Sequence, residues 1–134
     1  MSKVLIADDD AAIREMLAEI MADLGHDHVS AATAAETLAK AEHDPSIDLV
    51  LLDLKFPDCS DLSTLRAMRD RFPHIDVLMV TAEIDDLSLV REAVRCGIYD
   101  YIPKPIREDD IAIRVTRALE MRKLSRTCRR AVDE

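Results

Sequence analysis

Six side chains in four places have the types and order for phosphoryl chemistry. Asp8, Asp9 and Asp10 follow one apolar run, Asp53 a second, Thr81 a third and Lys104 a fourth. Carboxylates crowded around one lysine repel each other unless a cation joins them. An all-oxygen set of this hardness suits Mg²⁺, with Mn²⁺ as a substitute, held by a few carboxylates, waters and a phosphate. A carboxylate beside such an ion can attack phosphorus and become an acyl phosphate. The Lys104 ammonium would neutralise the transferring group from the other side. Thr81 can donate its hydroxyl to a phosphoryl oxygen, with the small Ala82 leaving room. Each residue also has a plainer role: Asp10 as a helix N-cap, Thr81 as a strand end, Lys104 as a solvated cation stiffened by Pro103 and Pro105. The weight lies in finding all four kinds at four strand ends in this order.

The elements that must position them are legible as an alternation. Strands are expected at Val4–Ala7 (β1), His28–Ala31 (β2), Leu49–Leu52 (β3), Val77–Val80 (β4) and Tyr99–Ile102 (β5). VLIA, LVLL and VLMV are apolar at every position, as in strands covered on both faces. Helices are expected at Ala11–Leu24 (α1), stopped by Gly25, and from a Thr33/Glu36 capping box to residue 44 before Pro45 (α2). Three more are expected at Leu62–Arg71 (α3), Leu87–Cys96 (α4), ended by Gly97, and from Glu108 onward (α5), where Glu108, Asp109 and Asp110 suit the positive helix start. Five βα units with short connections imply an α/β fold: a five-stranded parallel sheet with helices on both faces. In the order 2-1-3-4-5, strands 1 and 3 flank the crevice where ligands bind, so Asp8, Asp9 and Asp53 would converge there.

Composition narrows the function. The 134 residues suit one domain, and 49% apolar against 34% charged residues favours a packed core over disorder. No apolar run approaches a bilayer span, and no signal-like start precedes the first charges, so a cytoplasmic protein without a membrane role is expected. Residues 1–106 carry a charge of −11 and residues 107–134 a charge of +2. The acidic body argues against direct nucleic-acid binding, and the basic end reads as a solvated helix face. Cys59, Cys96 and Cys128 are too few and too scattered for a disulfide frame or zinc site and read as reduced thiols. His26, His28, His43 and His74 show no ligand spacing and read as surface residues. The expected division is 1–120 as the domain and 121–134 as an extended C-terminal helix, a linker to an output domain or a dimer seam. Ala118, Met121, Leu124, Cys128 and Ala131 continue a three-four apolar spacing there, over under two heptads.

With these residues in view, the sequence resembles the receiver domains of two-component response regulators, from Lys3 to roughly Leu119. VLIADDD resembles the first strand and acidic pair, LVLLDLKFPD the phosphoacceptor segment, MVTA the switch hydroxyl, and DYIPKP the lysine with its preceding aromatic. The resemblance implies a flavodoxin-like fold. It implies Asp53 as the acceptor of a phosphoryl group from a histidine kinase or phosphotransfer protein. Asp9 and Asp53 would be direct Mg²⁺ ligands, Asp8 would act through water, and the Lys55 backbone carbonyl would complete the protein set. Thr81 and Tyr101 would be the switch pair, with Tyr99 the competing aromatic on the same strand face. The shifted α4-β5-α5 surface would then select an output domain, a partner protein or a second copy of the chain. The implied chemistry is self-phosphorylation from a donor and slow self-dephosphorylation, rather than enzyme turnover.

Departures from the family pattern carry expectations of their own. Asp58 and Asp61 stand where glycines are common, and Phe56 where methionine is usual, so the loop after β3 is expected to differ in shape, with Asp61 free to cap α3. Lys55 and Glu83 would flank the phosphoryl group and, paired, slow its hydrolysis. Three rivals remain. A Mg²⁺-dependent phosphatase with an Asp nucleophile needs a second Asp where Lys55 stands. A nucleotide- or flavin-binding domain needs a Gly-rich loop after β1, and none is present. A degenerate receiver acting as an unphosphorylated interaction module would not need the intact acceptor set.

Overall fold

Three of the five strands bury side chains on both faces, which decides where they sit. In the computed structural model, which describes residues 2–59, 61–82 and 87–133, β1 (Lys3–Ala7), β3 (Leu49–Leu52) and β4 (Asp76–Thr81) form the centre of a parallel sheet. The half-exposed β2 (Asp27–Ala31) and β5 (Asp100–Pro103) form its edges, in the order β2-β1-β3-β4-β5. This is the expected topology. β5 begins one residue later than the apolar run, although the Tyr99 N–H still donates to the Val77 carbonyl at 2.7 Å.

The helices are α1 (Ala11–Asp23), α2 (Ala34–His43), α3 (Ser63–Arg71), α4 (Leu87–Cys96) and α5 (Glu108–Asp133). Period-two alternation divides the strand side chains between two cores. Leu5, Val50, Leu52, Val77 and Met79 pack with α2, α3 and α4 through Ala41, Leu65, Met68 and Ala93. Val4, Ile6, Leu51, Leu78 and Val80 pack with α1 and α5 through Leu17, Met21, Ile111 and Val115. Asp10 caps α1, its carboxylate accepting from the Ala12 N–H at 2.9 Å, and Thr33 caps α2 through the Glu36 N–H at 3.1 Å. Gly25 and Gly97 end α1 and α4 with φ of 82° and 94°, where a side chain would be strained.

α5 runs unbroken across residue 120. Ala118 is 1% exposed and belongs to the core, whereas Met121 and Leu124 are more than half exposed. Ala118 and its apolar successors therefore do not share one solvent-facing stripe; the side chains of Cys128 and Ala131 lie outside the described residues. The helix base is instead fixed by charge. Arg122 pairs with Asp48 at 3.5 Å and Asp76 at 3.3 Å at the starts of β3 and β4. Arg122→Met leaves those two carboxylates facing one another and is expected to cost about 1 kcal/mol, read as a lower urea midpoint at unchanged slope.

The histidines need one correction. His28, His43 and His74 are exposed, but His26 is half-buried and its Nδ1 is buried without a hydrogen-bond partner. Burial, then the positive charges of Lys123 and the chain start, holds its pKa below the ordinary 6.5.

Candidate functional site

Each site residue is delivered by a strand end that the sheet ladder continues to hold. The Asp8 N–H donates to the Ala31 carbonyl at 3.1 Å, Asp53 to Ala7 at 3.0 Å, and Lys104 to Thr81 at 3.1 Å. These bonds carry the register of β2-β1-β3 and β4-β5 one step past the strands. Side chains from positions 8, 53 and 104 therefore meet above the same edge of the sheet.

The meeting is close. Lys104 Nζ lies 2.9 Å from Asp53 Oδ2 and 2.9 Å from Asp8 Oδ2. Asp8 and Asp53 are 2% and 4% exposed and Thr81 is 1% exposed at the end of β4, while Asp9 is exposed. Asp53 Oδ1 accepts from the Leu54 N–H at 2.7 Å and the Lys55 N–H at 3.3 Å, which leaves Oδ2 turned to the lysine. Asp8 Oδ1 accepts from the Asp10 N–H at 2.9 Å. Asp8 Oδ2, although within ion-pair distance of Lys104, accepts no hydrogen bond.

The electrostatics follow from this crowding. Burial raises the Asp8 pKa above the ordinary 3.8 and the Asp53 charge adds to it, against the opposing Asp10 N–H and Lys104. Burial also works against the Lys104 ammonium, but its pairing with the Asp8 and Asp53 carboxylates outweighs it and raises its pKa. One ammonium faces three carboxylates, so the site carries excess negative charge.

Asp8, Asp9 and Asp53 each offer an oxygen, and these atoms lie within 4.8 Å of one another. This all-carboxylate donor set fits a small hard cation. The site thus joins a buried carboxylate, an ammonium 2.9 Å from it and a buried threonine at the next strand end, the kinds of group that phosphoryl chemistry uses.

The response regulator receiver domain family matches residues 4–116. The chain belongs to that family. It is 34% identical over 125 residues to the transcriptional regulatory protein CitT of Halalkalibacterium halodurans, covering 91% of this chain and 54% of that protein. It is 29% identical over 120 residues to the chemotaxis protein CheY of Pseudomonas aeruginosa, covering 88% of this chain and 96% of CheY. Among solved structures, a CheY-like receiver domain protein from Methanospirillum hungatei superimposes with a TM-score of 0.88 at 30% identity, covering 93% of this chain and 98% of the other. NtrX from Brucella abortus does so with a TM-score of 0.87 at 30% identity, covering 98% of this chain but 30% of NtrX. The receiver chain thus spans about half of CitT and about a quarter of the regulatory protein AtoC of Escherichia coli.

The sheet brings Asp8, Asp9, Asp53 and Lys104 together as the sequence reading expects, with Thr81 at the neighbouring strand end. Tyr101 is 36% and Tyr99 42% exposed, both on the side of β5 away from the buried Ile102. Lys55 is exposed, and its expected partner Glu83 lies outside the described residues. Among the described residues of the loop after β3, which exclude residue 60, none has positive φ. Asp61 does meet α3, accepting from the Ser63 N–H at 2.8 Å, one position earlier than a side-chain cap at Leu62 would stand. Sequence reasoning missed Asp58, whose carboxylate reaches the start of α2. An acid in place of a glycine was the only local sign of it.

Proposed function

We propose that this receiver domain takes a phosphoryl group onto Asp53, with Mg²⁺ or Mn²⁺ bound, from a histidine kinase or phosphotransfer protein. The observation that carries the reading is the pairing of Lys104 with both Asp53 and Asp8, at 2.9 Å each, inside a cluster of three acids. Asp8, Asp9, Asp53 and the Lys55 backbone carbonyl would hold the ion, which neutralises charge on the transferring group. The Asp53 carboxylate attacks phosphorus as the bond to the donor imidazole nitrogen breaks. Lys104 stays in place as a fixed positive charge beside the new acyl phosphate.

Thr81, already buried at the end of β4, is placed to turn its hydroxyl toward the added oxygens. Tyr101, outward on β5, is the aromatic that would follow it inward. The phosphoryl group favours one of two packings, so the effect is a population shift. Val94, Tyr99 and Tyr101 are exposed apolar side chains on α4 and beside or within β5, which supports an α4-β5-α5 surface for an output domain, partner or second copy. Residues 121–134 would serve as a linker or dimer helix. No helix among the described residues is long and apolar enough to cross a membrane.

Intact mass after acetyl phosphate tests the proposal. With Mg²⁺ the chain is expected to gain one phosphoryl group, and with EDTA in place of the metal none. An unchanged mass under both conditions rejects the reading.

A further inference from the structure

The loop between β3 and α3 is tied to a helix that follows neither of those elements. In Phe56-Pro57-Asp58-Cys59 the end residues exchange both backbone hydrogen bonds, Phe56 N–H to Cys59 at 2.9 Å and Cys59 N–H to Phe56 at 3.2 Å. Pro57 pre-sets the first turn position and Asp58 takes the second with negative φ. From there the Asp58 carboxylate accepts from the Ala34 N–H at 2.9 Å through Oδ1 and from the Ala35 N–H at 3.0 Å through Oδ2. Thr33 takes the Glu36 N–H at 3.1 Å. Three of the roughly four donors that a helix start leaves open are thereby used, two of them by a residue distant in the chain.

We infer that Asp58 is a positioning residue for cation binding: by fastening the loop to the start of α2, it pre-orders the segment that carries the Lys55 carbonyl. This inference rests on the phosphoacceptor reading above. A glycine at this position would leave the loop to be ordered when the cation arrives, and that ordering subtracts from affinity. The turn closed between Phe56 and Cys59 sits directly after Lys55, and the Phe56 side chain is 5% exposed, so the segment is held at both its core side and its helix side.

The test uses the full chain and NMR. Amide exchange of Ala34 and Ala35 is followed without metal, and backbone shifts are followed through a Mg²⁺ titration. Asp58→Ala is expected to speed exchange at both amides and to weaken Mg²⁺ binding about fivefold, the size of one lost helix cap. Asp58→Asn keeps one acceptor oxygen for one of the two N–H groups, and is expected to bind Mg²⁺ between wild type and Asp58→Ala. Equal Mg²⁺ affinity in wild type and Asp58→Ala overturns the inference. So does unaltered exchange at Ala34 and Ala35 in Asp58→Ala. A flat titration of the wild type is a different failure, refuting the phosphoacceptor reading and this inference with it.

Discussion

Asp53→Asn is expected to keep the mass of the unmodified chain after acetyl phosphate and Mg²⁺, under conditions in which wild type gains a phosphoryl group. The substitution replaces the nucleophilic carboxylate with an amide of the same shape, and an amide oxygen does not form the acyl phosphate. Little else is disturbed. The amide oxygen can still accept from the Leu54 and Lys55 N–H groups that bind Asp53 Oδ1, and Lys104 retains Asp8 at 2.9 Å. The urea midpoint of Asp53→Asn is therefore expected at or above that of wild type, since one of two buried like charges is gone. That pairing of results separates loss of the acceptor from loss of the fold. A phosphoryl gain in Asp53→Asn would move the acceptor to another carboxylate of the cluster, Asp8 or Asp9. Asp9 is the exposed member, so peptide mapping of the modified chain would locate the change.

What the sequence discloses and what it hides divide along the range of the interaction. LVLL and VLMV announce central strands because burial on both faces leaves no polar residue at any position, and the polar residues that follow them mark the strand ends. The site is legible for the same reason: Asp8, Asp53 and Lys104 each stand one residue past an element that periodicity can identify, and the order of strands does the rest. The Asp58 and Arg122 contacts leave no such trace. Asp58 meets Ala34 across 24 residues, and Arg122 meets Asp76 across 46. In each case the local sequence is that of an ordinary solvated loop or helix face. Ala118 shows the complementary ambiguity, since a three-four spacing is produced equally by a seam with a partner and by the inner face of a helix on its own sheet. His26 is half-buried directly after the glycine that ends α1, a burial that no periodicity in the local sequence marks.

The second large effect is expected at Asp8, where removing a site residue should strengthen the metal-free fold. Asp8 is 2% exposed, faces the Asp53 carboxylate, and has an oxygen that accepts no hydrogen bond. Its folded pKa lies above the ordinary 3.8, first because of burial. The sign follows: the protonated form favours folding at pH below 3.8, and that contribution is lost as pH rises through the folded value. At neutral pH the ionised group works against the fold unless a cation joins it. Asp8→Asn keeps the acceptor for the Asp10 N–H and leaves Lys104 with Asp53, while removing the strained charge. In EDTA the variant is expected to be more stable by about 1–2 kcal/mol, a rise of roughly 3–8 °C in melting midpoint. With Mg²⁺ the order reverses. Wild type gains about 2.7 kcal/mol at a hundred times its dissociation constant, and the variant, lacking the carboxylate, gains little. Thermal unfolding of both proteins with and without Mg²⁺ gives four midpoints, and crossing of the two lines is the expected signature. Parallel lines would mean that Asp8 takes no part in holding the ion. A variant less stable than wild type in EDTA would mean that its pairing with Lys104 outweighs the cost of burying its charge.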